Sequence, residues 1–245
     1  MRLVTNDSLV KRNATIGKYA MGAGFLILIG GLLVNLNSLN NNNPALQSIP
    51  FVSLIVGFIL TNIGTHMTNR YGREPRADKT LDGALKGFDD RYHLYNFYLP
   101  APHFLVAPNG LFALVPKFQH GLVRWDGKRW SHKNASFFRS FFGQDNLANP
   151  NAEAAADAEA IAKYLAKKIG GDLPPVQAII VFYHPNVTIE AENPPIPAVH
   201  VKQLKEHLRK LGKPATQAKE GAGGGAGKRT LTPEQISRLD EVLGI

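Results

Sequence analysis

The sequence predicts a pair of membrane-spanning helices followed by a mixed α/β domain. Two long apolar runs lie in the first third of the 245-residue chain. Beyond them, runs with the two-residue period of strands alternate with runs of helical period, which is the pattern of a mixed sheet flanked by helices. The composition, 44% hydrophobic and 19% charged, is that of a folded chain rather than a disordered one.

Charge and cysteine content restrict the possible functions. The chain has no cysteine, which excludes a disulfide framework, a thiolate zinc site and a cysteine nucleophile. The formal net charge is +9, and most of the excess lies in residues 1–79, with 8 basic and 3 acidic side chains. Such an excess fits nucleic-acid binding, an anionic membrane surface, or the positive-inside rule for membrane proteins.

The two apolar runs are each long enough to cross a membrane. Tyr19–Val34 contains no charged residue, and Ile49–Met67 contains only His66 as a titratable group. With their flanks the runs cover residues 16–36 and 49–67, close to the roughly 20 residues that cross a hydrocarbon core of ~30 Å. A cleavable signal peptide is the alternative for the first run, but no small-residue cleavage site follows it, so we expect a retained span.

The distribution of basic residues predicts the orientation of the spans. The loop 37–48 is uncharged, whereas basic residues precede the first span and follow the second: Arg2, Lys11, Arg12, Lys18, Arg70, Arg73, Arg76 and Lys79. The positive-inside rule therefore predicts a multi-pass cell-membrane protein with both termini in the cytoplasm. Residues 1–70 form this membrane part. Its glycines allow a close approach of the two helices, namely Gly22, Gly24, Gly30, Gly31, Gly57 and Gly64.

Residues 71–212 are predicted to form the cytoplasmic α/β domain. Apolar residues at helical spacing predict a helix over 78–89. Strands are predicted next at 92–99, 103–107 and 111–115, followed by a hairpin over 121–130 with Asp126-Gly127 at its turn. Paired aromatic residues then indicate a partly helical loop on the core: Phe137, Phe138, Phe141 and Phe142.

The second half of this domain begins with its clearest helix, over 152–169. Acidic residues near its start and basic residues near its end match the helix dipole. The nearly continuous apolar strand at 176–183 is expected in the centre of the sheet, because both of its faces need burial. Short strands at 187–190 and 198–201, and a final helix marked by Leu204, Leu208 and Leu211, complete the domain.

The C-terminal part consists of a linker and a short helix. Residues 213–230 are glycine-rich and predict a flexible linker. Residues 231–245 begin with a capping box at Thr232 and carry Ile236, Leu239 and Leu243 on one face. We expect this apolar face to dock on a protein partner that the sequence does not identify.

The order of elements in the domain, together with the segment APHFLVAPNGLFALVPKFQHGLVRWDGKRW at residues 101–130, resembles the nuclease-related domain (NERD) family. The resemblance extends over residues 76–211. It implies a restriction-endonuclease-like fold, a mixed sheet flanked by helices. It also implies the chemistry of such enzymes, in which carboxylates hold a divalent metal and a lysine activates the attacking water.

The residues that the resemblance assigns to this chemistry are mostly replaced. The family's first-helix glutamate corresponds to Asp78 and its lysine to Lys117, whereas two further metal-binding carboxylates correspond to Pro102 and Val115. Proline and valine side chains cannot bind a cation. We therefore expect a pseudoenzyme without metal or cofactor, which acts as a binding or scaffold module.

The alternative is a metal-dependent nuclease acting on DNA with displaced ligands, which would need Mg²⁺ or Mn²⁺. The nearby side chains available as substitutes are His103, Gln119, His120 and Asp126. The simplest structural roles are different: a capped or exposed strand-start histidine for His103, a turn residue for Asp126 and a surface lysine for Lys117. For Asp78 the simplest role is a helix N-terminal acid.

Basic and aromatic residues alternate between positions 117 and 139, and this mixture predicts binding of an anion. The candidate contacts are Lys117, Arg124, Lys128 and Arg129, with either nucleic acid or anionic lipid as the partner. The alternative is a cationic hairpin whose aromatic residues face the core. Residues 80–212 favour that alternative, since they carry 15 basic and 12 acidic side chains, a small excess for a nucleic-acid-binding domain.

Overall fold

The computed structural model describes residues 1–38, 44–133, 147–211 and 230–245. These residues divide into a helical hairpin unit, residues 7–76, and an α/β unit that contains residues 1–6 and the described residues from 77 onward. The aromatic loop predicted at 137–142 and the linker predicted at 213–230 lie outside the described residues, except for Thr230.

Two long helices form the hairpin unit. Helix α1 spans Asp7–Ser38 and helix α2 spans Pro44–Met67, followed by a π-helical turn at Thr68–Gly72. Both helices are long and apolar enough to cross a membrane. Their large apolar side chains point outward, with Leu26 and Phe51 each 72% exposed. Helix α1 begins nine residues before the predicted span 16–36, because its polar first turns continue the same helix.

Glycine residues allow the two helices of the hairpin unit to pack closely. A Cβ atom at Gly24 would lie 2.8 Å from the backbone nitrogen of Thr61, and one at Gly64 would lie 2.7 Å from the Cα of Met21. Gly17, Gly31 and Gly57 are similarly crowded by the opposite helix. Gly22 and Gly30 have no neighbouring atom within 4 Å. Four of the six predicted glycines therefore lie at the helix contact, and Gly17 joins them.

The main sheet of the α/β unit combines six strands in the order β1-β2-β3-β4-β7-β9. Their bounds are β1 Arg2–Thr5, β2 His93–Asn96, β3 His103–Ala107, β4 Gly110–Lys117, β7 Val176–Phe182 and β9 Ala198–His200. Strands β2, β3 and β4 are antiparallel, whereas β1 runs parallel to β2, and β7 runs parallel to both β4 and β9. The prediction of a mixed α/β domain is confirmed.

Strand β1 corrects the predicted division of the chain. The sequence placed residues 1–70 together as the membrane part, but Arg2–Thr5 pairs with β2 and belongs to the α/β unit. A four-residue edge strand that buries only Val4 is too short to show a two-residue period. The α/β unit therefore contains chain segments from both before and after the hairpin.

A second, smaller sheet has the strand order β6-β5-β8. It contains β5 Gly121–Trp125, β6 Trp130–Lys133 and β8 Val187–Ala191. The predicted turn at Asp126-Gly127 is present, with Gly127 at φ 92°. The strand after it starts at Trp130 rather than at Lys128, because the turn takes up the four residues between the paired Trp125 and Trp130.

Four helices cover the two faces of the main sheet. Helices α3 Ala77–Leu85 and α5 Val201–Leu211 pack on one face, called the α3 face, against Leu94, Leu105, Phe112 and Leu114. Helices α4 Pro150–Lys168 and α6 Pro233–Leu243 pack on the other, called the α4 face, against Tyr95, Phe104, Leu111 and Ala113. Residues 179–182 of strand β7 are buried on both faces, and β7 lies inside the sheet between β4 and the edge strand β9, rather than in its centre as predicted.

The C-terminal helix α6 packs on the α/β unit of its own chain. Its predicted capping box is present, and Leu231 and Leu239 are buried in the core of the α4 face. The Asp240 carboxylate forms an ion pair with Arg2 of β1 and accepts a hydrogen bond of 2.9 Å from the hydroxyl of Tyr95. Burial and this bond raise the pKa of Tyr95. The apolar face predicted to bind a partner protein is thus covered by the chain itself.

Candidate functional site

Lys117 is buried at the carboxyl end of β4, not at the surface as the sequence suggested. Its side chain follows Leu111, Ala113 and Val115 on the α4 face of the sheet, and the residue is 8% exposed. The ammonium group forms an ion pair with Glu153, which lies in the first turn of α4. Lys117 therefore has a carboxylate partner that sequence reasoning missed, because the partner is 36 positions away on another element.

Val115 and Pro102, the two positions where the resemblance implies metal-binding carboxylates, carry apolar side chains, and Val115 also has apolar surroundings. Val115 is 1% exposed and packs with Val123, Trp130 and Phe182. Pro102 precedes β3, and its carbonyl accepts a hydrogen bond of 2.7 Å from the backbone N–H of Phe97. Val115 thus places packed hydrocarbon two residues before Lys117 in β4, at a position where the resemblance implies an oxygen ligand.

Asp78 lies on the opposite side of the main sheet from Lys117. It is 2% exposed and begins the buried stripe of α3 that continues with Leu81 and Leu85. Because that stripe packs on the α3 face and Lys117 lies on the α4 face, the sheet separates the two residues that the resemblance retains. Asp78 is at a helix N-terminus, as predicted, but inside the protein.

His103 belongs to a buried polar row rather than being a capped or exposed strand-start histidine. Its Nδ1 atom lies 2.7 Å from the amide oxygen of Asn96, and Asn96 donates a second hydrogen bond of 3.2 Å to the hydroxyl of Thr5. His103 is 2% exposed and Asn96 is fully buried. The row joins strands β1, β2 and β3, and two of its members, His103 and Asn96, are covered by the protein.

Backbone geometry beside this row is unusual. Phe97 adopts a positive φ of 62° and packs the edge of its ring against His103 at a centroid distance of 5.1 Å. A phenylalanine rarely adopts this conformation, so the surrounding packing must hold it. The row and Phe97 together fix the end of the antiparallel strands. This is a structural role, which the spacing of these residues along the chain did not indicate.

The predicted anion-binding residues do not form one basic surface. Lys117 is buried in the main sheet, whereas the other three lie on the small sheet and its turn. Arg124 donates a hydrogen bond of 2.7 Å to Glu190 of the adjacent strand β8. Arg129 has Asp126 as an ion-pair partner at 3.6 Å. Lys128 is exposed at the turn.

Asp126 is a turn residue, as predicted. Its carboxylate accepts backbone hydrogen bonds from Arg129 and Lys128 at 2.8 and 2.9 Å, and these bonds lower the pKa of Asp126. The turn and the nearby Arg129 therefore account for the position of this carboxylate without a metal ion. His120, another of the candidate substitutes, packs its ring edge to face with the ring of His184 at a centroid distance of 5.2 Å, and Phe118 lies beside His184.

The tryptophans of the small sheet serve the core rather than a nucleic-acid surface. Trp130 is 8% exposed, and its indole N–H donates a hydrogen bond of 3.0 Å to Asn151. Its ring packs on Trp125 and on Phe182 of β7. Bases stack on exposed aromatic faces, which Trp130 does not offer. Phe137, Phe138 and Arg139, the remaining part of the predicted mixture, lie outside the described residues.

Metal binding has no ready site in the part of the chain that the structure describes. Within those residues, no three His, Asp or Glu side chains come close enough together to hold a metal ion. Glu153 is the carboxylate that lies beside Lys117, and one carboxylate holds Mg²⁺ or Mn²⁺ weakly.

Comparison with known proteins finds no match among family models, curated proteins or solved structures. The resemblance to the nuclease-related domain family therefore rests on the segment 101–130 and on the order of the elements.

Proposed function

We propose that this protein is a membrane-anchored binding or scaffold module whose α/β unit has a nuclease-related, restriction-endonuclease-like ancestry and no nuclease activity. One observation carries the proposal. Lys117 is paired with Glu153, while the neighbouring positions that should supply oxygen ligands hold Val115, packed in the core, and Pro102. The lysine of the catalytic set is thereby used to attach helix α4 to the sheet.

Chain connectivity supports the anchoring part of the proposal. The residues before α1 form strand β1, and the residues after α2 begin α3, and both segments belong to the same α/β unit. If α1 and α2 cross a membrane, they must therefore leave and return on the same side. The uncharged loop 37–48 and the basic residues at the other end support the cytoplasm as that side, by the positive-inside rule.

The exposed surface of the helices supports the same arrangement. Apolar side chains such as Leu26, Phe51 and Phe58 are more than half exposed on α1 and α2. A soluble protein rarely exposes so continuous an apolar surface, whereas a bilayer covers it. In this arrangement the exposed turn residues Lys128 and Arg129 are the remaining candidate contacts for an anionic partner, nucleic acid or lipid.

A metal-dependent nuclease acting on DNA is the second candidate function. It is favoured by a single contact, the carboxylate of Glu153 beside Lys117 at the carboxyl end of β4. In this alternative Glu153 would take the place of the glutamate lost at Val115 and would hold Mg²⁺ or Mn²⁺, which would activate the attacking water.

A cleavage assay distinguishes the two candidates. The full chain is used in detergent, because a fragment that starts after the hairpin lacks the edge strand β1. We expect no cleavage of plasmid or single-stranded DNA with Mg²⁺ or Mn²⁺, and no change in Lys117→Ala. The proposal is wrong if metal-dependent cleavage occurs and is abolished by Lys117→Ala and by Glu153→Gln. The exposed pair Lys163 and Glu159 on the same helix provides matched control substitutions.

A further inference from the structure

A cleft opens at the end of the hairpin unit where both apolar runs stop. It has a volume of about 320 Å³ and is lined by Ala14, Thr15, Lys18 and Met21 of α1 and by Thr68 and Gly72 of the π-helical turn. All of these residues belong to the hairpin unit. π-Helical turns are rare and are found often at functional sites.

The position of the cleft along the helices corresponds to the membrane surface. Lys18 is the last charged residue before the apolar run of α1, and Thr68 directly follows the last residue of α2. The two lie at the same level, since a Cβ atom at Gly17 would be 2.9 Å from the backbone nitrogen of Thr68. In a hairpin that spans the bilayer, this level is where hydrocarbon gives way to lipid headgroups.

The polar groups of the cleft are suited to a phosphate. Lys18 is exposed and provides a positive charge. The hydroxyl oxygen of Thr68 is buried and has no hydrogen-bond partner, in contrast to Thr61, whose hydroxyl donates a bond of 2.7 Å to the carbonyl of Gly57. A buried hydroxyl without a partner is unfavourable, so rotation of the Thr68 side chain from Gly17 toward a ligand oxygen in the cleft would satisfy it.

The charges around the cleft also select an anion. Residues 7–76 contain only two acidic side chains, Asp7 and Glu74. The basic side chains at this end of the hairpin are Lys11, Arg12, Lys18, Arg70, Arg73 and Arg76. Below Lys18, the surface of α1 continues through Met21 to Phe25, which is 46% exposed and offers an apolar path for an acyl chain.

From these observations we propose that the cleft binds the headgroup phosphate of an anionic phospholipid, held by Lys18 and Thr68 with Thr15 beside them. Basic pockets between membrane helices at the cytoplasmic surface are a known setting for anionic headgroups. The inference rests on the proposed membrane insertion of the hairpin, and it adds a lipid preference to that insertion.

The test uses the full chain reconstituted in nanodiscs of equimolar phosphatidylcholine and phosphatidylglycerol. Native mass spectrometry then measures the ratio of the two lipids that stay bound. We expect phosphatidylglycerol to be preferred, and Lys18→Gln to reduce the preference about fivefold, the factor typical of one lysine near an anionic surface. Thr68→Val, which keeps the shape of the side chain, should reduce the binding of both lipids, because both carry a phosphate, whereas Lys11→Gln, on the same helix outside the cleft, should lower the preference less than Lys18→Gln does.

Three results would overturn the inference. The first is an absence of lipid preference in the wild-type protein. The second is an equal loss in Lys11→Gln and Lys18→Gln, which would indicate general attraction to the basic end of the hairpin. The third is loss of the preference when inorganic phosphate is added, which would make the cleft a site for free phosphate. Carbonate extraction of the cell membranes that contain the full chain separates a failure of the lipid inference from a failure of the proposed anchoring, because only a protein that is not inserted is released.

Discussion

Replacing Gly64 with alanine is expected to destabilise the helical hairpin by on the order of 1–3 kcal/mol. The added Cβ would meet backbone atoms of α1, at 2.7 Å from the Cα of Met21, so the helices must separate. In an isolated helix the same substitution is favourable by ~1 kcal/mol, so the clash decides the sign. The measurement is the midpoint of unfolding of the full chain when sodium dodecyl sulfate is titrated into mild detergent.

Gly22 provides a matched control for this prediction. It lies on α1 with no neighbouring atom within 4 Å, so Gly22→Ala should leave the midpoint unchanged or raise it. Equal effects at Gly64 and Gly22 would show that helix propensity alone, and not the contact between α1 and α2, determines the stability. In that case α1 and α2 would not pack as closely as described.

Replacing Leu239 with alanine is expected to release the C-terminal helix from the α/β unit. Leu239 is fully buried in the core of the α4 face, and truncation of such a leucine typically costs ~2–5 kcal/mol. Helix α6 spans only Pro233–Leu243, so this cost is a large part of what holds it in place. Asp240 would then leave Arg2 and Tyr95, and strand β1 would lose an attachment. Amide hydrogen exchange of α6 and β1 should accelerate together.

Val242 on the same helix is the control for Leu239. It is 38% exposed, so Val242→Ala removes an apolar side chain without opening the core. Its exchange rates should remain close to those of the wild type. If Leu239→Ala left the protection of α6 unchanged, the helix would not be docked through its apolar face. A separate protein partner would then again be expected to bind that face.

Periodic patterns allowed most of the elements to be predicted from sequence. The apolar runs of α1 and α2, the buried strand β7 and the capping box of α6 each depend on neighbouring residues, and local patterns record such features. Strand β1 was missed because four residues with one buried side chain give no pattern. Its place in the sheet depends on β2, some ninety residues further along the chain.

The surroundings of the candidate site were less accessible to sequence reasoning. Lys117 and His103 look like polar residues at strand ends, and their burial depends on partners from distant elements, Glu153 on α4 and Asn96 on β2. The separation of Asp78 from Lys117 depends on which face of the sheet each helix covers. The residue types alone do not indicate which face of the sheet a helix covers.

The central claim is tested most directly by determining on which side of the membrane each segment lies. The chain has no cysteine, so a single introduced cysteine reports its own position. We expect a membrane-impermeant maleimide to label Asn41→Cys in intact cells. It should label Lys167→Cys, at an exposed position of α4, only after permeabilisation. Labelling of Lys167→Cys in intact cells, or protection of Asn41→Cys until permeabilisation, would contradict a hairpin that crosses the membrane and returns the chain to a cytoplasmic α/β unit.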